Sequence, residues 1–168
     1  MAKPLLLMVG GNAGSGKTTF AEQFARLFSA PCVDFDALRF ELKAKPNFSD
    51  EETAMINKIG LIIVRHLLDS RQPIVISGGL AKKANRQRFR TLASQAGYNA
   101  RLVWLQVDAP VMRRRALEKI KAGETTKEIV AAAMANTELP VDSERPIMIS
   151  GKHTFNTQVR GVLEKLSL

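Results

Sequence analysis

Residues 8–20 read MVGGNAGSGKTTF, and within them GNAGSGKT, Gly11 to Thr18, fills every position of the pattern G-x-x-x-x-G-K-[S/T]. These residue types suit the binding of phosphate. Glycines allow backbone torsions that side chains forbid, so successive N–H groups can converge on phosphate oxygens. Lys17 adds a fixed charge within reach of the β- and γ-phosphates of a nucleotide, and Thr18 offers its hydroxyl to Mg²⁺. The expected nucleotide-binding set is therefore Gly11, Asn12, Ala13, Gly14, Ser15, Gly16, Lys17, Thr18 and Thr19. Further along, VDFDALR carries Asp34 and Asp36, which point the same way if a strand runs through both. Asp36 is also a candidate N-cap for a helix beginning DALRFEL.

Position requires a scaffold, and the chain supplies alternating signals for one. Apolar runs at 5–9, 31–33, 73–77, 100–107 and 146–150 are short, rich in branched residues and bounded by turn residues, as buried strands are. Helical spacing occupies 17–29, with Phe20, Phe24, Leu27 and Phe28, and 50–70, with Met55, Ile56, Ile59, Ile62, Ile63 and Leu67 behind an acidic SDEE opening. Further helices are expected at 83–96, 110–121, 125–136 and 156–166. Strands alternating with helices imply an α/β fold with a parallel sheet covered on both faces, whose ligands bind at the carboxyl ends of the strands.

Composition narrows the class. The chain has 168 residues, 45% apolar and 24% charged, with no repeat and no linker-like tract, so a single domain over 1–168 is expected. One cysteine excludes an internal disulfide, and neither a signal peptide nor a membrane-spanning run is apparent; a cytoplasmic protein is expected. The net charge of +9 is local. Lys82 to Lys121 holds eleven basic residues against Asp108 and Glu118, leaving fourteen of each sign elsewhere from totals of 25 and 16. Such an imbalance favours an anionic partner.

With a strand before it and a helix after it, the phosphate loop makes the chain resemble P-loop small-molecule kinases, the group of shikimate, gluconate, AAA-domain and zeta-toxin-like kinases. The resemblance implies a three-layer P-loop NTPase/kinase fold with a five-stranded parallel sheet, helices on both faces and a small helical lid at about 110–136. It implies ATP and Mg²⁺ as cofactors and transfer of the γ-phosphate to a hydroxyl of a small substrate. On the same likeness Asp36 is the hydroxyl-facing base and Asp34 a metal-shell or orienting group that, with Thr18, holds Mg²⁺. Arg39 would grip an acidic substrate or a phosphate. In ISGGL, Ser77, Gly78 and Gly79 stand where many P-loop proteins carry a metal-binding acid, and the glycine pair is similar to one that lets backbone amides approach the acceptor. The segment DAPVMRRRALEKIKAGETT is similar to a mobile arginine-bearing lid. Successive helical residues turn by about 100°, so Arg113, Arg114 and Arg115 cannot share one face; Arg114 and Arg115 are the expected catalytic pair. Gly151, Lys152 and His153 would line the adenine, and MANTELPVDSERPIMISG resembles a Glu-x-Pro…Glu stretch without an assigned role.

Two other readings start from the same residues. The basic segment 82–121 would suit a polynucleotide or nucleotide-sugar kinase docking a phosphate-rich partner, and Lys82, Arg86 and Arg90 share a face that would suit nucleic acid, the less favoured partner. A nucleotide-gated binding module without phosphoryl transfer would need no acid after the third strand. His66, Cys32 and Trp104 are expected to pack in the interior.

Overall fold

The structure, a computed structural model, describes residues 3–43 and 46–166. The chain runs β1 (Leu5–Gly11), α1 (Lys17–Leu27), β2 (Cys32–Asp34), α2 (Phe35–Leu42), α3 (Asp50–Leu68), β3 (Ile74–Ser77) and α4 (Lys83–Gln95). It continues through β4 (Asn99–Gln106), α5 (Ala109–Lys121), α6 (Lys127–Ala135), a 3₁₀ turn at Asp142–Glu144, β5 (Ile147–Ser150) and α7 (Phe155–Leu166). The five strands form one parallel sheet in the order β2-β3-β1-β4-β5, as the alternation of the sequence implies.

A central parallel strand is apolar at consecutive positions because both of its faces are covered. In β1, Leu6 and Met8 pack on one face with Phe35, Ile56, Val64 and Phe89 from α2, α3 and α4. Leu7 and Val9 pack on the other with Phe20 and Phe24 of α1 and Val159 and Val162 of α7. Gly60, inside α3, is small for a packing reason: a β-carbon there would overlap the Phe35 ring.

Three local expectations change. The helix α2 begins straight after Asp34, so no strand continues through Asp36. In α3 the buried stripe is Glu52, Ile56, Gly60, Leu61, Val64 and Leu68, while Met55, Ile62 and His66 lie outward. Cys32 sits exposed on the edge strand β2, whereas Trp104 is fully buried as expected. Helices α5 and α6 have no buried residue, in contrast to the other α-helices. Among the described residues no helix is long and apolar enough to cross a membrane.

Candidate functional site

The loop between β1 and α1 turns on Gly14 and Gly16, with φ of 74° and 93°, in the left-handed region that favours glycine. Gly16 is the N-cap of α1 and contributes no capping side chain, so the first N–H groups of the helix stay available to an anion at its positive end. The loop opens onto a cleft of about 670 Å³, walled by Gly14 to Phe20 on one side and by Arg115, Lys119, Gly151, His153 and Phe155 on the other. Gly151 approaches so closely that a β-carbon there would collide with the Ser15 carbonyl oxygen.

Of the three consecutive arginines, the fold brings Arg115 to this cleft. Its guanidinium donates to the Gly14 carbonyl at 2.8 Å and to the Gly151 carbonyl at 3.1 Å, tying the phosphate loop to the turn after β5. Arg114 projects away, 67% exposed and 3.9 Å from Glu118 one turn along, and Arg113 is exposed as well. Of the expected pair, Arg115 reaches the cleft and Arg114 does not, because the helix turn sends it outward. Lys152 pairs with Asp108 at 2.6 Å and lies outside the lining of the cleft, whereas Gly151 and His153 line it.

Asp34 and Asp36 reach the carboxyl end of the sheet by different routes. Asp34 is the N-cap of α2; its Oδ1 accepts from the N–H of Asp36 at 2.8 Å and of Ala37 at 2.9 Å. Asp36 is neither a strand residue nor the cap, and sits in the first turn of α2, half-exposed, with Oδ2 3.9 Å from Lys17 Nζ. Gly78 and Gly79 have φ of 70° and 63°. Their turn lies against the start of α2: a β-carbon on Gly78 would come 3.2 Å from Asp36 Cγ, and one on Gly79 3.0 Å from the Phe35 ring. The glycine pair thus lets β3 end directly beside the candidate base.

Arg39 does not extend toward an open pocket. It is buried, donates to Glu52 at 2.5 Å and to Thr53 Oγ1 at 3.2 Å, and stacks over Phe48. Glu52 also accepts from Lys43 and from the N–H groups of Asn47 and Phe48. Burial by itself would raise the Glu52 pKa, but these hydrogen bonds outweigh it and hold the carboxyl down to about 2. The cluster braces α2 against α3, and the substrate-gripping arginine expected from sequence is occupied within the fold.

Two basic residues of α4, Arg86 and Arg90, are likewise committed internally, while Lys82, Lys83 and Arg88 are exposed. Arg86 is fully buried, its Nε and Nη2 donating to Glu144 at 2.7 and 3.0 Å and its Nη1 to the carbonyls of Leu80, Ala81 and Glu138. Its guanidinium also lies 5.4 Å from the Trp104 ring centroid. Arg90 donates to the Glu144 carbonyl, and Lys82 pairs with Glu138 at 3.4 Å. Glu138 accepts from the Lys83 N–H at the start of α4. The Glu-x-Pro…Glu stretch therefore acts as a strap that holds the loop after Gly79 in place. Its acids, facing an arginine-rich helix, were the signal in the sequence.

Residues 6–140 match the family described as AAA domain. Among solved structures, a gluconokinase from Sinorhizobium meliloti 1021 is 22% identical with a TM-score of 0.72, covering 99% of this chain and 94% of its own. A sugar kinase from Janibacter sp. is 18% identical with a TM-score of 0.71, covering 99% and 95%. The APS kinase of Mycobacterium tuberculosis, in complex with AMPPNP and APS, is 20% identical with a TM-score of 0.71, covering 98% of each chain. No curated protein matches the sequence.

Proposed function

The chain belongs to the AAA-domain family, and on that premise we propose that it is an ATP-dependent phosphotransferase that moves the γ-phosphoryl group to a hydroxyl of a small metabolite. The observation that carries this reading is the placement of Asp36 3.9 Å from Lys17, which sets a half-exposed carboxylate at the mouth of a phosphate cradle. The kinase folds of the three solved neighbours support it.

In this reading the amides of the Gly11–Thr19 loop and Lys17 hold the β- and γ-phosphates, and the adenine lies toward Gly151 and His153. Asp36 accepts the proton of the acceptor hydroxyl as its oxygen attacks the γ-phosphorus; the bond to the β–γ bridging oxygen breaks and ADP departs. Arg115 leaves the carbonyls of Gly14 and Gly151 and turns to the charge developing on the transferred group. Helices α5 and α6, which bury no residue, can move at small cost and form the lid, within a single domain. Mg²⁺ suits Thr18 together with Asp34, whose Oδ2 is buried and lacks a hydrogen-bond partner. When bound, the ion supplies charge neutralisation at the β- and γ-oxygens. Arg86 and Arg90 are taken up by the strap and Lys82 pairs with Glu138 at the surface, so a phosphate-rich acceptor would have to be held by the basic residues of 82–121 that stay exposed, among them Lys83, Arg88, Arg113 and Arg114.

The test is ADP production from ATP across a panel of hydroxylated metabolites. Acceptor-dependent turnover is expected, with Asp36→Asn lowering it on the order of 10²–10⁴-fold at unchanged ATP binding. Normal ATP binding with no acceptor-dependent ADP from any panel member would refute the phosphotransferase reading in favour of a nucleotide-gated module.

A further inference from the structure

The third strand ends in Ser77, where many phosphate-loop proteins place an acid, and its surroundings are unusual. Three buried side-chain oxygens among the described residues lack a hydrogen-bond partner: Ser15 Oγ, Asp34 Oδ2 and Ser77 Oγ. All three lie at the carboxyl end of the sheet or in the loop that leaves it. An orphaned buried polar atom costs roughly 1–3 kcal/mol, and native interiors hold few of them. Four nitrogens, Arg39 Nε, Arg90 Nε, Arg101 Nε and Trp104 Nε1, are orphaned as well, but the orphaned oxygens, the atoms able to face a cation or its waters, all fall at this end of the sheet.

The pleat shows where two of them point. Asp34 and Ser77 are directly paired in the β2–β3 register, so their side chains share a face. That face is the one covered by α1: Val75, two residues before Ser77, packs with Phe20 and Ala21, whereas Ile76 packs on the opposite side. Helix α1 starts at Lys17 and Thr18. Ser77 is fully buried, and neither its hydroxyl nor Asp34 Oδ2 bonds the other.

We infer that the Ser77 hydroxyl takes the place of the missing acid and, with Asp34 Oδ2, holds the water shell of a nucleotide-bound Mg²⁺. The inference rests on the ATP-binding reading of the cradle. Mg²⁺ gives up its waters reluctantly and is usually held through one or two carboxylates together with substrate phosphates, so a dense acidic cage is unnecessary. Among the described residues there is indeed no group of three metal-ligating side chains. A serine in this place carries no charge of its own, so the site binds the ion chiefly with the nucleotide.

The experiment is a titration of a fluorescent ADP analogue at graded MgCl₂, alongside thermal unfolding without ligand. Ser77→Ala removes only an unsatisfied hydroxyl, and its ligand-free melting temperature is expected to equal or exceed that of the parent. Its metal-free affinity for ADP is expected to be unchanged, while the MgCl₂ concentration giving half-maximal tightening rises roughly 10-fold or more, as for other groups that orient a metal's ligands. Asp34→Asn keeps a good capping side chain and is expected to shift the same midpoint. A Ser77→Ala midpoint within about twofold of the parent, with ADP still bound, would overturn this inference and leave the phosphotransferase reading standing. No ADP binding by the parent protein would overturn both.

Discussion

Glu144→Ala tests how the strap is held. Glu144 is 5% exposed and accepts hydrogen bonds from Arg86 Nε, Arg86 Nη2 and the Val141 N–H. Removing one partner of a buried ion pair costs about 3–5 kcal/mol, because the remaining charge is left uncompensated. Arg86 keeps its three carbonyl acceptors, which places the expected loss at the lower end, about 3 kcal/mol. For a chain of this size 1 kcal/mol moves the melting temperature by about 2–4 °C, so a fall of about 6–12 °C is expected. Lys82→Ala is the control: its partner Glu138 is 3.4 Å away and both side chains are about half-exposed, so the change is expected to stay within about 1 kcal/mol. Urea unfolding with paired calorimetry measures both variants. A Glu144→Ala loss below about 1 kcal/mol, or one equal to that of Lys82→Ala, would refute the reasoning, since the strap would then be held by something other than the buried pair.

The two neighbouring arginines of α5 are expected to separate. Arg115→Ala lowers turnover on the order of 10³-fold, whereas Arg114→Ala leaves it nearly unchanged; equal effects in steady-state kinetics would contradict the assignment. Glu52 makes stability acid-sensitive in a defined window. Its folded pKa of about 2 lies below the ordinary 4.5, so its stabilisation is present above about pH 4.5 and disappears as pH falls through 2. Glu52→Gln is expected to flatten the fall in melting temperature over that window. Gly60→Ala drives a methyl into the Phe35 ring and is expected to cost about 1–3 kcal/mol in urea unfolding; a neutral result would mean that α2 yields freely. Cys32 is pushed up to about 11 by partial burial first and then by the carboxylates of Asp34 and Glu22. Despite its exposure, it is expected to alkylate slowly at pH 8, as rates with iodoacetamide would show.

The sequence by itself determined whatever is encoded at short range. The spacing from Gly11 to Thr18 specifies a phosphate loop because consecutive amides do the binding, and the order of apolar runs implies the five-stranded parallel sheet because each crossover needs its own helix. Helical geometry showed that Arg113, Arg114 and Arg115 cannot share one face, and no more than that. Which of them reaches the cleft was set by the tertiary structure, since it depends on where α5 crosses Gly14 and Gly151, and both lie far from residue 115 in the chain. Asp34 and Asp36 were legible as carboxylates, yet their division into cap and candidate base depends on the chain leaving its strand one residue earlier than alternation suggests. Arg39, Arg86 and Arg90 look like free charge in a linear reading. In the fold they meet Glu52 and the strap around Glu144, because a buried cation must find compensation wherever packing brings an anion or a carbonyl. Charge is written residue by residue, but which charges remain for a ligand is settled only when distant segments have neutralised the rest.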